Sequence, residues 1–354
     1  MHRDKIIITF IIINFVIFSF VLLMTACTIN QPAITSKIPN PTDFTSDIPV
    51  TITATTVINL AIPNTTIPVK TATPTSVAET DVITEKTPMS TATVPTAFAP
   101  DMWMSLSIIP TVSQTARSIY RRGIEMGNDL HAFSKIGDCQ SIPTYFLSYF
   151  DMPGQYNLGD YADLQDTIDW YAGSFSRQSL SVKGGFNAAA ILSPLRADPA
   201  QCQANENPIQ CEFRHHHPSI AIISLEEWWA GHPENYEAYL RQIIEYTVDQ
   251  GVVPILATKA DNLEGNNLIN QTIAELAQEY DIPLWNFWAA VQPLPNHGLI
   301  AYDSSGELDM FHLTHSEGYY FYNDPAGIQS GWSIRNLTAL QALDAVRRGL
   351  LEQP

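Results

Sequence analysis

Residues 218–228 read PSIAIISLEEW, an apolar run that begins at a proline and ends in two glutamates and a tryptophan. A continuous apolar run of this length is typical of a strand that is covered on both faces, as the strands of parallel sheets are. Strand-like runs also occur at 131–138, 252–261 and 282–291. The chain therefore contains several strands of the kind that a buried parallel sheet requires.

Helical patterns separate these strand-like runs. The spacing at 161–175 puts Leu164, Ile168 and Tyr171 on one helix face, and the amphipathic segment at 233–251 begins at a proline and ends at a glycine. Further helical patterns lie at 112–126, 267–281 and 333–353. The alternation predicts an α/β sandwich with a mainly parallel sheet. In such sheets, ligands bind at the carboxyl ends of the strands.

The first hundred residues differ from the rest. Residues 1–27 have basic residues, an apolar run and small residues before Cys27, which is the pattern of an export signal. The last five, LMTAC, resemble a bacterial lipoprotein cleavage box, so we expect Cys27 to be lipidated. The alternative is an uncleaved anchor helix, because the run is close to the length that spans a bilayer. Residues 28–100 are rich in Thr and Pro and predict a disordered stalk. We expect 101–354 to be one folded domain at the extracellular face of the membrane.

The charge and cysteine content narrow the choice of partners and of chemistry. The formal net charge of −18 repels phosphate backbones, which argues against nucleic acid and leaves neutral ligands. We expect a monomer that needs no cofactor and no metal. Outside the cytoplasm, Cys202 and Cys211 are expected to form a disulfide that closes the short loop between them. Cys139 is then left over, and a free thiol in an exported protein is either buried and inert or reactive.

Four strand-to-loop junctions carry polar residues that are candidates for chemistry. The first is GDCQS at 137–141, and the second is KGGFN at 183–187, before a helical run. The third is LEEWW at 225–229, and the fourth is DMFH at 309–312. The spacing in the fourth block puts its aspartate and its histidine on the same side of a turn. Such a pair can act as base and orienting group for a nucleophile.

Taken in this order, the four blocks resemble those of the SGNH, or GDSL-like, hydrolase superfamily over about residues 130–345. The resemblance implies a three-layer α/β/α sandwich that hydrolyses esters of lipids or acetylated sugars. It implies that Cys139 is the nucleophile, that Gly185 contributes to an oxyanion hole, and that Asp309 orients His312, the base. We therefore expect a cell-surface esterase that acts on neutral acyl esters, including O-acetylated glycans.

Two positions depart from the family pattern. Cys139 stands where the family has serine, and LEEWW replaces Gly-x-Asn-Asp. A thiolate paired with an imidazolium is a competent acyl acceptor. Glu227 and Trp228 then occupy the oxyanion and substrate-binding block, where the indole N–H of Trp228 can donate but a carboxylate would repel an oxyanion. The alternative function is a catalytically impaired protein that binds a glycan or a protein partner.

Other residues in these blocks allow simpler interpretations. Asp138 is expected to tie the turn together, and Ser141 is a second hydroxyl that can be mistaken for the nucleophile. Two adjacent glutamates on a strand point to opposite faces, which argues against a two-carboxylate glycosidase site. The histidines at 215–217 are expected to lie in a solvated loop rather than to bind a metal. The segment at 303–309 is interpreted as a turn, since it lacks calcium-loop spacing.

Overall fold

The computed structural model describes residues 101–225 and 235–352. Its centre is a sheet with the strand order β1-β2-β3-β4, in which every neighbouring pair is parallel. The strands are β1 (Asp129–Gly137), β2 (Pro218–Ser224), β3 (Val253–Ala257) and β4 (Leu284–Trp285). The predicted α/β fold with a parallel sheet is therefore confirmed.

Helices occupy the connections between the strands and flank the sheet. They are α1 (Gln114–Met126), α2 (Gln165–Trp170), α3 (Ala188–Ile191), α4 (Pro208–His216), α5 (Tyr236–Asp249), α6 (Leu268–Glu279), α7 (Phe287–Val291) and α8 (Gly331–Leu351). Helix α1 packs on β2, β3 and α8, and α8 also packs on β4. Helices α5 and α6 pack on each other and on β3, while α4 packs on β1. Each helix thus buries one side against the sheet or a neighbouring helix.

The core explains why β2 is apolar along its whole length. All seven of its residues are buried, and its register pairs Ile136 with Ile223 and Gly137 with Ser224. Because β2 lies between β1 and β3 and is covered on both faces, no position of this strand can remain polar and exposed. On the predicted helical segment at 161–175, Leu164, Ile168 and Tyr171 are all buried, as expected.

Three local predictions were wrong in detail. The run at 282–291 is a strand only at Leu284–Trp285, because the buried Asn286 side chain accepts the N–H of Ala289 and begins α7. The segment at 161–175 is a 3₁₀ helix to Leu164, then α2 and a turn. The histidines at 215–217 end α4 instead of lying in a loop, since Asn207 and Gln210 form a capping box in front of that helix.

The predicted disulfide is present between Cys202 and Cys211, whose Cα atoms are 5.3 Å apart. It ties the loop before α4 to the helix itself. The predicted export signal at 1–27, the lipidation of Cys27 and the stalk at 28–100 lie outside the described residues. Within 101–225 and 235–352, no helix is both long enough and apolar enough to cross a membrane.

A buried ionic cluster lies between β1 and α4. The Glu212 carboxylate accepts hydrogen bonds from the hydroxyl of Ser134 (2.6 Å) and from Nη1 of Arg177 (2.7 Å). The Lys135 Nζ donates to the carbonyl oxygen of Phe175 at 2.6 Å. Burial and the nearby Arg177 lower the pKa of Lys135 to about 7, although Glu212 partly opposes them. The cluster therefore holds a lysine that loses its proton far more readily than a lysine in water.

This lysine predicts a stability that depends on pH. Between pH 7 and 9, Lys135 is neutral in the folded chain but protonated in the unfolded chain, so folding releases a proton and the free energy of unfolding rises with pH. We expect a contribution of up to about 1.4 kcal/mol per pH unit. Denaturant unfolding across this range should show the slope in the unchanged protein, and Lys135→Met should remove it. The exposed Lys183 provides the matched control. An equal slope in Lys135→Met and Lys183→Met would contradict the assignment.

Candidate functional site

Cys139 lies in a tight turn directly after β1. The residues Cys139–Ser141 form a single 3₁₀ turn, and the buried Asp138 side chain caps it by accepting the N–H of Gln140 at 2.8 Å. Cys139 is partly exposed at the carboxyl end of the strand. Asp138 therefore acts as the structural acceptor that the sequence predicted, and it presents Cys139 at the sheet edge where ligands bind in α/β folds.

The turn also explains the glycine at its start. A Cβ on Gly137 would overlap the side chain of Ser141 and lie 2.7 Å from the carbonyl oxygen of Ser224 on β2. Only glycine allows this approach without moving backbone. The Ser141 hydroxyl faces this contact, and the residue is 1% exposed. Ser141 therefore packs inside the turn and is not a surface nucleophile.

Gly184 lies beside the cysteine, and Gly185 follows it in the same turn. The preceding residues run parallel to the end of β1, with Gly137 bridged to Val182. The chain then turns, because the N–H of Phe186 bonds the carbonyl of Lys183 at 3.1 Å and Gly185 takes a φ of +79°. That φ is the third-position geometry of a type II turn and favours glycine. A Cβ on Gly184 would lie 4.0 Å from the Cβ of Cys139.

The backbone N–H of Gly185 is available as a donor. Within the part of the chain that the structure describes, no protein acceptor pairs with it. Gly185 itself is exposed, in a turn whose other glycine adjoins Cys139. An N–H in this state is the kind of group that stabilises an oxyanion. Gly185 therefore has a backbone conformation that favours glycine and, within the described residues, an N–H without a protein acceptor.

Asp309 and His312 form a hydrogen-bonded pair on one turn. The Nδ1 atom of His312 lies 3.0 and 3.1 Å from the two carboxylate oxygens of Asp309. One of these oxygens also accepts the backbone N–H groups of Phe311 (3.0 Å) and His312 (2.8 Å). The carboxylate thus fixes the backbone and the imidazole together. With a proton on Nδ1 pointing to Asp309, Nε2 is the nitrogen left to act as a base.

The two members of this pair differ in exposure. The Asp309 side chain is 10% exposed, whereas that of His312 is 56% exposed. Burial alone would raise the pKa of Asp309, but the hydrogen bonds from the backbone N–H groups of His312 and Phe311 and from the imidazole outweigh it and lower the pKa. Asp309 is therefore an ionised orienting group at neutral pH, and the imidazole it holds faces solvent.

The side chain of Gln140 joins the turn of Cys139 to the histidine segment. Nε2 of the buried Gln140, next to Cys139, donates to the carbonyl oxygen of Phe311 at 3.0 Å. Phe311 directly precedes His312. The three blocks that carry Cys139, Gly185 and the Asp309–His312 pair therefore meet at the carboxyl end of β1. Gln140 belongs to the first block, but its bridging role could not be derived from the motif.

A groove of about 530 Å³ opens beside His312. It is lined by Leu263, Asp303, Glu307, Leu308, Asp309, Phe311 and His312. Leu308 is 70% exposed, so its side chain is accessible to a ligand in the groove. The segment at 303–309 is a turn, as predicted, since the Asp303 carboxylate accepts the N–H groups of Ser305 and Glu307. An acidic rim with apolar walls suits an uncharged ligand better than an anionic one.

A buried ion cluster supports the groove wall. The Lys259 Nζ lies 2.6 Å from an oxygen of Asp261 and 2.6 Å from an oxygen of Glu264. All three side chains are almost completely inaccessible. The same Asp261 oxygen accepts the N–H of Leu263, which lines the groove. The cluster therefore fixes the loop after β3 at the edge of the candidate site.

Other predicted site positions fall elsewhere. Glu227 and Trp228, which were expected to supply oxyanion or substrate contacts, lie outside the described residues. Among the described residues, the one set of side chains close enough to hold a metal ion is Cys202, Glu206 and Cys211. The two sulfurs of that set are joined in the disulfide and offer no thiolate.

The arrangement predicts an activated thiol. If His312 serves Cys139 as its base, the rate at which iodoacetamide alkylates Cys139 should follow an apparent pKa well below the free value of about 8.5, because an imidazolium beside the sulfur stabilises the thiolate. His312→Ala should return the apparent pKa towards 8.5. His297→Ala is the matched control, since His297 is an exposed histidine on another turn. A thiol that reacts only after unfolding would contradict the prediction.

Comparison of the chain with models of known protein families and with curated proteins found no match.

Proposed function

We propose that this protein is an ester hydrolase of the SGNH type with cysteine as its nucleophile. The fold we propose for it is the three-layer α/β/α sandwich of that superfamily, with helices such as α1 and α8 on one face of the sheet and α5 and α6 on the other. The observation that carries the proposal is the Asp309–His312 pair, which Gln140 ties to the turn of Cys139. A nucleophile, a base and an orienting group at the end of one strand match the chemistry of acyl transfer.

The reaction divides into two acyl transfers. Nε2 of His312 takes the thiol proton of Cys139, and the sulfur attacks the carbonyl carbon of the ester. The N–H groups of Gly185 and Cys139 stabilise the oxyanion, the C–O bond to the alcohol breaks, and the imidazolium returns its proton to the alcohol. Water then attacks the thioester, again with His312 as base, and releases the acid and the free thiol. Asp309 holds the imidazole in the required tautomer throughout.

The exposure of the site agrees with a hydrolase. His312 is more than half exposed, so water reaches the base without opening a lid. The groove beside it has the apolar residues Leu263, Leu308 and Phe311, which can contact an acyl or alkyl group. Glu307 and Asp303 at the same groove disfavour an anionic substrate. Neutral acyl esters, including O-acetylated glycans, are therefore the proposed substrates.

The proposed setting is the extracellular face of the cell membrane. The export-signal pattern of residues 1–27 and the lipobox cysteine at 27 support membrane attachment, and the Thr/Pro-rich segment supports a stalk between membrane and domain. The Cys202–Cys211 disulfide agrees with an oxidising compartment. We further propose that the protein is a monomer, attached to the membrane through its N-terminal anchor, and does not bind nucleic acid.

The alternative is a protein that binds a glycan or a protein partner without catalysis. One observation favours it: LEEWW occupies the block where the superfamily has an asparagine donor, and Cys139 replaces serine. In that case the groove beside His312 is the binding surface.

Hydrolysis of 4-nitrophenyl acetate and butyrate by the full-length protein in detergent tests the proposal. We expect turnover that Cys139→Ala abolishes and that His312→Ala lowers by about 10³-fold, since both remove members of one catalytic unit. His297→Ala should retain full activity.

A second variant, with serine at the proposed nucleophile position, shows whether low activity comes from a weak nucleophile or from a missing oxyanion hole. Cys139→Ser should show measurable esterase activity if the rest of the machinery is intact. Equal background rates for the unchanged protein, Cys139→Ala and Cys139→Ser would overturn the esterase proposal and leave the binding alternative.

A further inference from the structure

Arg335 is a buried arginine that reaches the ends of two strands. It lies in the second turn of α8 and is 0% exposed. Its Nε donates to the carbonyl oxygen of Gln140 at 3.2 Å, and its Nη2 donates to the hydroxyl of Ser224 at 2.7 Å. Gln140 follows Cys139 in the turn, and Ser224 is the last residue of β2. One guanidinium thus bridges the nucleophile turn and the neighbouring strand end.

The surroundings of this guanidinium are aromatic. Its central carbon lies 4.8 Å from the ring centre of Phe146, 5.4 Å from that of Trp285 and 5.0 Å from that of Phe287. These rings fix the side chain and offset part of the cost of burying its charge. An apolar residue of similar volume would often stabilise such a site at least as well. The hydrogen bonds that the arginine donates therefore explain its presence better than packing does.

The same end of α8 contacts the other blocks of the candidate site. The backbone N–H groups of Gly331 and Trp332 donate to the hydroxyl (2.8 Å) and the carbonyl (3.1 Å) of Thr314, two residues after His312. The Asn336 side chain bonds the carbonyl of Tyr145 and the N–H of Leu147, in the loop after the Cys139 turn. The first two turns of α8 are thus a common support for the nucleophile and histidine segments.

We propose that Arg335 is a positioning residue of this site, which holds the turn of Cys139 and the end of β2 in fixed register so that the nucleophile faces the base and the acyl group. This inference rests on the proposed ester hydrolysis for its kinetic consequence. Arg335 acts through Gln140 and Ser224 and takes no part in bond making.

The fork of an arginine is essential to this role. Nε and Nη2 donate in fixed directions, so one side chain reaches both acceptors. A lysine keeps the positive charge but places it on a single atom, which cannot replace both hydrogen bonds. Arg335→Lys therefore separates geometry from charge. Ser224→Ala removes one hydrogen bond with little change of volume and leaves the arginine in place.

The kinetic test uses the full-length protein with a nitrophenyl ester. We expect Arg335→Lys and Ser224→Ala each to lower kcat about tenfold with KM changed less than twofold, because a misplaced nucleophile affects the chemical step more than binding. The matched control is Arg348→Met, a partly exposed arginine on the same helix that pairs with Asp344. It should retain full activity. Thermal unfolding of each variant shows that the fold is kept.

A second readout does not depend on ester turnover. The rate of Cys139 alkylation by iodoacetamide at pH 7 should fall about tenfold in Arg335→Lys and Ser224→Ala and be unchanged in Arg348→Met. If the unchanged protein hydrolyses no ester but Cys139 is still alkylated more slowly in the two variants, the positioning role is supported and only the proposed function fails. The inference would be overturned if the Arg335→Lys and Ser224→Ala variants fold and their Cys139 alkylation rates at pH 7 equal that of the unchanged protein. A Cys139 thiol that is inert in the unchanged folded protein would also overturn it.

Discussion

The close pairing of Gly137 with Ser224, the last rung between β1 and β2, is the constraint on which the candidate site depends. The absence of a side chain at Gly137 lets Ser141 pack against the strand ends, so the chain can turn at once and present Cys139 at the sheet edge. The bridge from Gly137 to Val182 then brings the glycine turn to the other side of the same residue. A larger residue at 137 would push the side chain of Ser141 and the end of β2 away from β1. The missing Cβ thus allows the turn and the strand end to meet.

Buried charge lies at this end of the fold as well as in the cluster between β1 and α4. Arg335 bridges two strand ends, and Lys259 bridges two carboxylates in the loop that supports the groove. Such pairs gain little net stability, because the desolvation of each ion opposes their attraction. Their advantage is geometric, because each charged group holds several backbone or side-chain partners at fixed angles. The loops at the carboxyl ends of the strands gain rigidity from these ions. A site that must keep a proposed nucleophile and base in register benefits from such rigidity.

The sequence predicted the parts of the fold that depend on local pattern. Four of these features follow from neighbouring residues alone. They are the apolar run of β2, the strand before Gly137, the disulfide, and the turn of Asp309 and His312. The run at 282–291 was misassigned because its apolar character suits a strand and a helix equally, and a buried asparagine side chain decides between them. Gln140 and Arg335 could not be identified, since their partners lie 111 to 195 residues away and nothing near them in sequence marks those contacts. The four blocks therefore identified the candidate residues, while the side chains that connect them are visible only in three dimensions.

The replacement of serine by cysteine fits the local electrostatics of this site. A thiol has an ordinary pKa of about 8.5, so it needs far less help from a base than a hydroxyl does. An imidazole base such as that of His312 can therefore take the proton of a thiol more easily than that of a hydroxyl. The nearly buried Asp309 adds the orientation that an exposed imidazole would otherwise lose. In the proposed reaction, the N–H groups of Gly185 and Cys139 are the donors that the oxyanion meets.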